Sequence, residues 1–90
     1  MKTTLEQPIC KVDTNGTKHW YQNGERHRIN GPAIEYPNGS KHWYQNGQHH
    51  RIDGPAIELP DGTKRWYLNG KEVTQQDVIK PSPLIMFMII

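Results

Sequence analysis

The chain has 90 residues, 33% of them hydrophobic, and a net charge of +2 with its five histidines uncounted; its mean hydropathy is −0.89. One small domain with a thin core is expected, because a chain of this size buries only roughly 60–65% of its unfolded surface. A single cysteine, Cys10, excludes an intramolecular disulfide and a thiolate zinc site, and the modest basic charge falls short of a strong duplex-DNA binder.

In chain order, the opening MKTTLEQPIC has no apolar run, so no signal peptide is expected, and with the lone cysteine this points to a cytoplasmic setting. Residues 1–14 read as a lead-in with a first strand over Ile9–Asp13. Residues 15–37 (NGTKHWYQNGERHRINGPAIEYP) are then repeated almost letter for letter by residues 38–60 (NGSKHWYQNGQHHRIDGPAIELP), and residues 61–73 (DGTKRWYLNGKEV) begin a third copy. A period of 23 residues held this strictly means a small supersecondary unit that must stack on its neighbours to bury its apolar face. Turn dipeptides recur at Asn15-Gly16, Asn23-Gly24, Asn38-Gly39, Asn46-Gly47, Asp61-Gly62 and Asn69-Gly70. Such pairs accept positive φ at both central positions of a two-residue type I′ hairpin, and the aromatic and β-branched runs between them predict an antiparallel meander. Ile29-Asn30-Gly31-Pro32 and Ile52-Asp53-Gly54-Pro55 predict wider loops, since Gly and Pro both interrupt a ladder. Thr74 predicts a cap for a short helix over Gln75–Lys80, stopped by Pro81, and residues 74–90 form a C-terminal cap and tail.

If all six turns are two-residue hairpins, the register follows. Ile34 then faces Trp43, Glu35 faces His42, and Glu58 faces Arg65. One face carries Trp20, Trp43 and Trp66 with Ile34, Tyr36, Ile57 and Leu59, and needs a cover. The other carries Tyr21, Tyr44 and Tyr67 and is wet. Lys11 and Asp13 fall on the Trp20 side.

The motif Tyr-x-Asn-Gly-x-x-His followed by Gly, as in Tyr21-Gln22-Asn23-Gly24, His27 and Gly31, then Tyr44-Gln45-Asn46-Gly47, His50 and Gly54, then Tyr67-Leu68-Asn69-Gly70, resembles the MORN (membrane occupation and recognition nexus) repeat. It looks especially like the variant found in phage, giant-virus and antitoxin-annotated bacterial proteins. The resemblance covers Asn15 to Gly70. It implies an all-β, single-layer antiparallel meander of β-hairpin repeats, here of about seven strands with a short C-terminal capping segment. It also implies a role in protein or lipid-surface interaction rather than catalysis, and suggests a small phage-type inhibitor of a host defence protein.

Candidate chemistry is sparse. Equivalent histidines, His19 with His42 and His27 with His50, stand one repeat apart, about 9.5 Å, too far to share a metal ion bound at about 2 Å. His27 and His50 are expected to pack beside Trp, and no metal, cofactor or catalytic site is expected. Cys10 with a histidine, or Glu35 with Glu58, would be the catalytic candidates, but each glutamate is expected to have a basic or histidine cross-strand partner, an ordinary feature of sheets. The wet face is the candidate binding site: His19, Tyr21, Arg26, Arg28, His42, Tyr44, His49, Arg51, Arg65 and Tyr67. Tyr and Arg are typical interface anchors, so a host protein is the expected partner. Single-stranded nucleic acid or anionic lipid is the alternative, because basic groups interleaved with rings suit a phosphate backbone and stacked bases. The apolar tail, with Leu84, Ile85, Phe87, Met88 and Ile89, is too short for a membrane span of about 20 residues. It is expected to cover the Trp face or to meet a second copy, giving a homodimer.

Overall fold

The computed structural model describes residues 8–79. Within them lie β1 (Ile9–Val12), β2 (Lys18–Gln22), β3 (Glu25–Arg26), β4 (Ile34–Glu35), β5 (Lys41–His42), β6 (Tyr44–Gln45), β7 (Gln48–His49), β8 (Ile57–Glu58), β9 (Lys64–Leu68), β10 (Lys71–Val73) and α1 (Gln75–Ile79). Pairing is antiparallel throughout, in the order β1-β2-β4-β5-β8-β9-β10, with β3 beside β2 and β6 beside β7. The expected meander of hairpin repeats is present as a slab only 16 Å deep, one sheet thick. Ten short strands replace the expected seven or so. The added number comes from forking. β2 pairs along one edge with β1, while its other edge is shared by β4 at Lys18–His19 and β3 at Tyr21–Gln22. β5 and β6 are the two halves of the strand that runs unbroken as β2 and β9.

The turns are of two kinds, and this changes the register. At Asn23-Gly24, Asn46-Gly47 and Asn69-Gly70 both residues have positive φ (Asn 50° to 55°, Gly 79° to 84°), as a type I′ turn needs. At the other three sites only the glycine does, with φ of 91° to 96° at Gly16, Gly39 and Gly62. There the loop is three residues long: Gly39 N–H donates to the Tyr36 carbonyl, and Tyr36 N–H donates to the Ser40 carbonyl. This is a type I turn closed by a left-handed glycine. Pro37 and Pro60, which lock φ near −65°, occupy the first turn position in two of them. The side-chain oxygens of Asn15, Asn38 and Asp61 accept from the amide two residues on, at 3.0, 2.9 and 2.8 Å, so they brace the turn.

One added loop residue moves every pair by one and reassigns the faces. Ile34 lies opposite His42 and Ile57 opposite Arg65, not opposite the tryptophans. Glu35 pairs with Lys18 and Lys41, and Glu58 with Lys41 and Lys64, so the expected Glu35–His42 and Glu58–Arg65 pairs do not form. Lys11 lies opposite His19, which puts Lys11 and Asp13 on the tyrosine side. The tyrosine side therefore also holds the buried Ile34 and Ile57, which with Ala33, Ala56 and Leu68 make up the described apolar core.

Two of the three tryptophans are covered from within their own repeat. Arg28 lays its guanidinium 3.9 Å from the Trp20 ring and Arg51 does the same on Trp43. Arg28 Nη1 then donates to the Pro32 carbonyl and to Glu35, and Arg51 Nη1 to the Pro55 carbonyl and to Glu58, all at 3.0 to 3.1 Å. Gly31 and Gly54 permit this approach: a Cβ at those positions would stand 2.9 Å and 2.7 Å from the arginine Cζ. Repeats are joined by the histidines. His27 Nδ1 accepts from Asn46 N–H and His50 Nδ1 from Asn69 N–H, both at 2.9 Å, so each buried imidazole holds the type I′ turn of the next copy. The third copy has Val73 in this place. After it Thr74 caps α1, its Oγ1 accepting from Asp77 N–H while Asp77 accepts from Thr74 N–H, as expected of the helix start. The expected tail contact at Leu84, Ile85, Phe87, Met88 and Ile89, and the homodimer built on it, lie outside the described residues.

Candidate interaction face

Alternation along β2, β5–β6 and β9 places Tyr21, Tyr44 and Tyr67 on one face, about 9.5 Å apart at two strands per repeat. In the first two copies the second residue after the Asn-Gly pair folds into the gap between them. Arg26 lies 5.7 Å from the Tyr21 ring and 5.9 Å from the Tyr44 ring. One repeat on, His49 fills the same gap, with ring centroids 4.2 Å from Tyr44 and 4.9 Å from Tyr67. Lys11 closes the row at one end, 5.7 Å from Tyr21, and Arg65 closes it at the other, 5.8 Å from Tyr67. The result is one continuous stack across all three repeats.

A second row runs beside it. His19 stacks along Tyr21 and is bonded to Asp13 at 2.8 Å. His42 stacks along Tyr44, meets Tyr36 edge-on, and is 3.2 Å from His49, Nδ1 to Nε2, with one ring donating and the other accepting. Burial lowers the pKa of His42. It also lowers that of His49, where the neighbouring His42 and Arg65 act in the same direction. Both rings are thereby biased to the neutral form at neutral pH. Burial raises the Tyr44 hydroxyl, with the Arg26 charge opposing it. At the far end Arg65 holds Glu72 by two bonds of 2.8 Å, which lowers the Glu72 pKa and raises that of Arg65.

Of the ten expected contact residues, the structure brings eight together: His19, Tyr21, Arg26, His42, Tyr44, His49, Arg65 and Tyr67. Arg28 and Arg51 are a correction. They lie against the tryptophans on the opposite face, where a carbonyl and a glutamate hold each guanidinium. Lys11, Asp13, Tyr36 and Glu72 join the face and were missed, since the two-residue register had placed Lys11, Asp13 and Tyr36 on the other side. The tripeptide Tyr36-Pro37-Asn38 carried the signal for the correct register: Pro before Asn-Gly favours the type I turn.

The stack limits what the face can bind. Tyr44 has His49 on one side and Arg26 on the other, and Tyr67 has His49 and Arg65, so the flat ring faces are already occupied. What remains for a ligand is a row of hydroxyls and ring edges. The ion pairs on this face are His19–Asp13 and Arg65–Glu72, which leaves Lys11 and Arg26 as its cations without a carboxylate partner among the described residues. Among the described residues no three His, Cys, Asp or Glu side chains come together as a metal-holding set, and no helix is long and apolar enough to cross a membrane. Comparison with protein-family models, with curated proteins and with solved structures finds no match for the chain.

Proposed function

We propose that the chain is a non-enzymatic protein-binding module that docks a partner on the tyrosine face. The observation that carries this is the continuous stack from Lys11 to Arg65, in which each tyrosine is held by a neighbour on both sides. Rigid Tyr and Arg side chains lose little conformational freedom on binding, so their contacts become affinity rather than ordering cost. A sheet one layer thick presents the whole row at once. The resemblance of the 23-residue unit to MORN-like repeats supports an interaction role, including that of a small inhibitor of a host protein.

Binding of single-stranded nucleic acid is the weaker reading. Bases need open ring faces to stack upon and several unpaired cations to follow the phosphates. Here the ring faces are occupied and Arg28 and Arg51 have left the face.

The test is affinity capture from a bacterial lysate with the full chain, read by mass spectrometry. A triple variant Arg26→Ala, Tyr44→Ala, Tyr67→Ala should lose a partner that the wild type retains. A control on the opposite face, Lys18→Ala with Lys41→Ala and Lys64→Ala, should keep it. Equal capture by the triple variant removes the tyrosine face as the site. A gel shift with an oligothymidine at low salt should show no complex, and a salt-sensitive complex would favour the nucleic-acid reading.

A further inference from the structure

We propose that the outer edge of β1 takes up an extended segment of a partner protein as an additional antiparallel strand, and that the segment it fits alternates acidic and apolar side chains. This uses the strand edge beside the tyrosine face, shares Lys11 with that face, and rests on the protein-binding reading only for the class of partner.

The backbone pattern sets the edge. Asp13 N–H donates to the Thr17 carbonyl at 2.8 Å. Alternation in an antiparallel ladder then turns the backbone groups of Lys11 and Ile9 towards β2 and those of Cys10 and Val12 outwards. β1 is the end strand of the sheet, and among the described residues nothing pairs with its outer side.

The internal repeat shows that this strand position is built to be flanked on both sides. Lys11 and Val12 correspond, one and two periods on, to Ile34-Glu35 and Ile57-Glu58. β4 lies between β2 and β5, and β8 between β5 and β9. β1 has the inner neighbour, β2, and offers its second edge. Among the described residues nothing covers this edge. Sheet edges are commonly blunted by proline, a bulge or charge. β1 has neither proline nor bulge over Ile9–Val12, carries Lys11 as its one charge, and exposes Ile9 at 63% and Val12 at 61%.

Charge selects the occupant. Lys11 extends over the tyrosine face beside Tyr21, so an incoming strand meets a cation there and apolar groups at Cys10 and Val12 on the other face. A second copy continuing the repeat would bring its β9, by analogy with Lys18–Glu35 and His19–Ile34, to set Lys64 against Val12 and Arg65 against Lys11. Like charges directly opposite are destabilising in a sheet. The edge therefore disfavours its own kind and favours a strand with a carboxylate opposite Lys11 and apolar side chains opposite Cys10 and Val12. Strand addition of this kind draws affinity from main-chain bonds and specificity from alternate side chains.

The experiment uses the full chain and two short capped peptides, one alternating Val and Glu and one alternating Val and Lys. Amide hydrogen exchange by NMR should show the Glu peptide slowing exchange at Cys10 and Val12 by about tenfold or more, with the Lys peptide silent. Lys11→Glu should reverse that preference. Val12→Pro should abolish the effect, because it removes a donor that points outwards and an edge strand tolerates proline there. The tyrosine-face triple variant should still bind the Glu peptide. No protection by the Glu peptide, equal protection by both peptides, or protection unchanged by Lys11→Glu would overturn the proposal. Loss of peptide binding in the tyrosine-face variant would do the same and would place the peptide on that face. Should Val12→Pro fail to fold, the charge reversal at Lys11 decides alone. Lysate capture that fails while peptide protection persists would count against the tyrosine face and not against the edge.

Discussion

The two faces of this sheet each carry a row of three large aromatic residues, one per repeat, and use them in opposite ways. On one face Trp20 and Trp43 are each closed by an arginine from their own repeat, which a glutamate and a carbonyl then hold in place. On that face Arg28 and Arg51 are taken up in holding the sheet together. On the other face Tyr44 and Tyr67 stack on side chains supplied by the neighbouring copy. The difference lies in the partner side chain. Arg28 and Arg51 reach a tryptophan of their own unit, whereas Arg26 and His49 bridge to the next unit. The same period thus builds a locked face and a presenting face from one strand, because neighbouring residues on a strand point to opposite sides.

The sharpest way to break the locked face is at the joint between copies. His50→Ala should cost about 2–3 kcal/mol, since it leaves the Asn69 amide without its acceptor and removes a buried ring. Urea unfolding measures this, and Val73→Ala in the third copy should cost clearly less. Next, Gly54→Ala should cost about 1–2 kcal/mol: its Cβ would meet the Arg51 guanidinium at 2.7 Å and push it off Trp43. The tryptophan fluorescence should shift with it, and an unshifted spectrum would show that Arg51 does not close the ring in solution. Thr74→Ala should cost about 1 kcal/mol by removing the cap of α1, with both rows of rings undisturbed. Smallest of all, Glu72→Ala should leave the melting temperature unchanged, as its pair with Arg65 lies at the surface with both side chains half exposed.

Acid should weaken both faces. Burial lowers the pKa of His50 on the tryptophan face and of His42 and His49 on the tyrosine face from the usual 6.5. A histidine whose folded pKa is depressed binds its proton more readily unfolded. Its contribution is therefore fully present above pH 6.5 and is lost as pH falls below that towards the folded value. Unfolding midpoints should drop on acidification, and the drop should be shallower in His50→Gln. Ring-proton NMR of His42 and His49 should show both titrating below 6.5, and a value above it would mean the pair is solvated rather than packed.

Much of the tyrosine face was legible from order alone. Tyr44 opposite His49 and Tyr21 opposite Arg26 follow from the two-residue Asn-Gly turns, where local chemistry dictates geometry. Burial of His27 and His50 beside tryptophan was legible too, because period-2 alternation puts them there. Arg28 and Arg51 were misplaced because strand alternation reads a side chain from its Cα, whereas a long guanidinium goes where an indole, a carbonyl and a glutamate converge. That convergence depends on the chain returning from the Gly-Pro loop, a distance of seven residues between Arg28 and Glu35.

The sequence by itself determined the period, the hairpin units and three of the six expected type I′ turns, with the cross-strand pairs beside them, since each follows from the repeat or from a turn a few residues long. The tertiary structure decided which face Ile34, Ile57, Lys11 and the two arginines occupy, and that His27 and His50 reach 19 positions ahead to hold the next copy. Those outcomes depend on one added residue in a three-residue loop and on the packing of one repeat against the next. A change of one residue reverses a strand's faces, so small local energies at Pro37 and Pro60 select between two whole-sheet arrangements that pattern alone leaves equal.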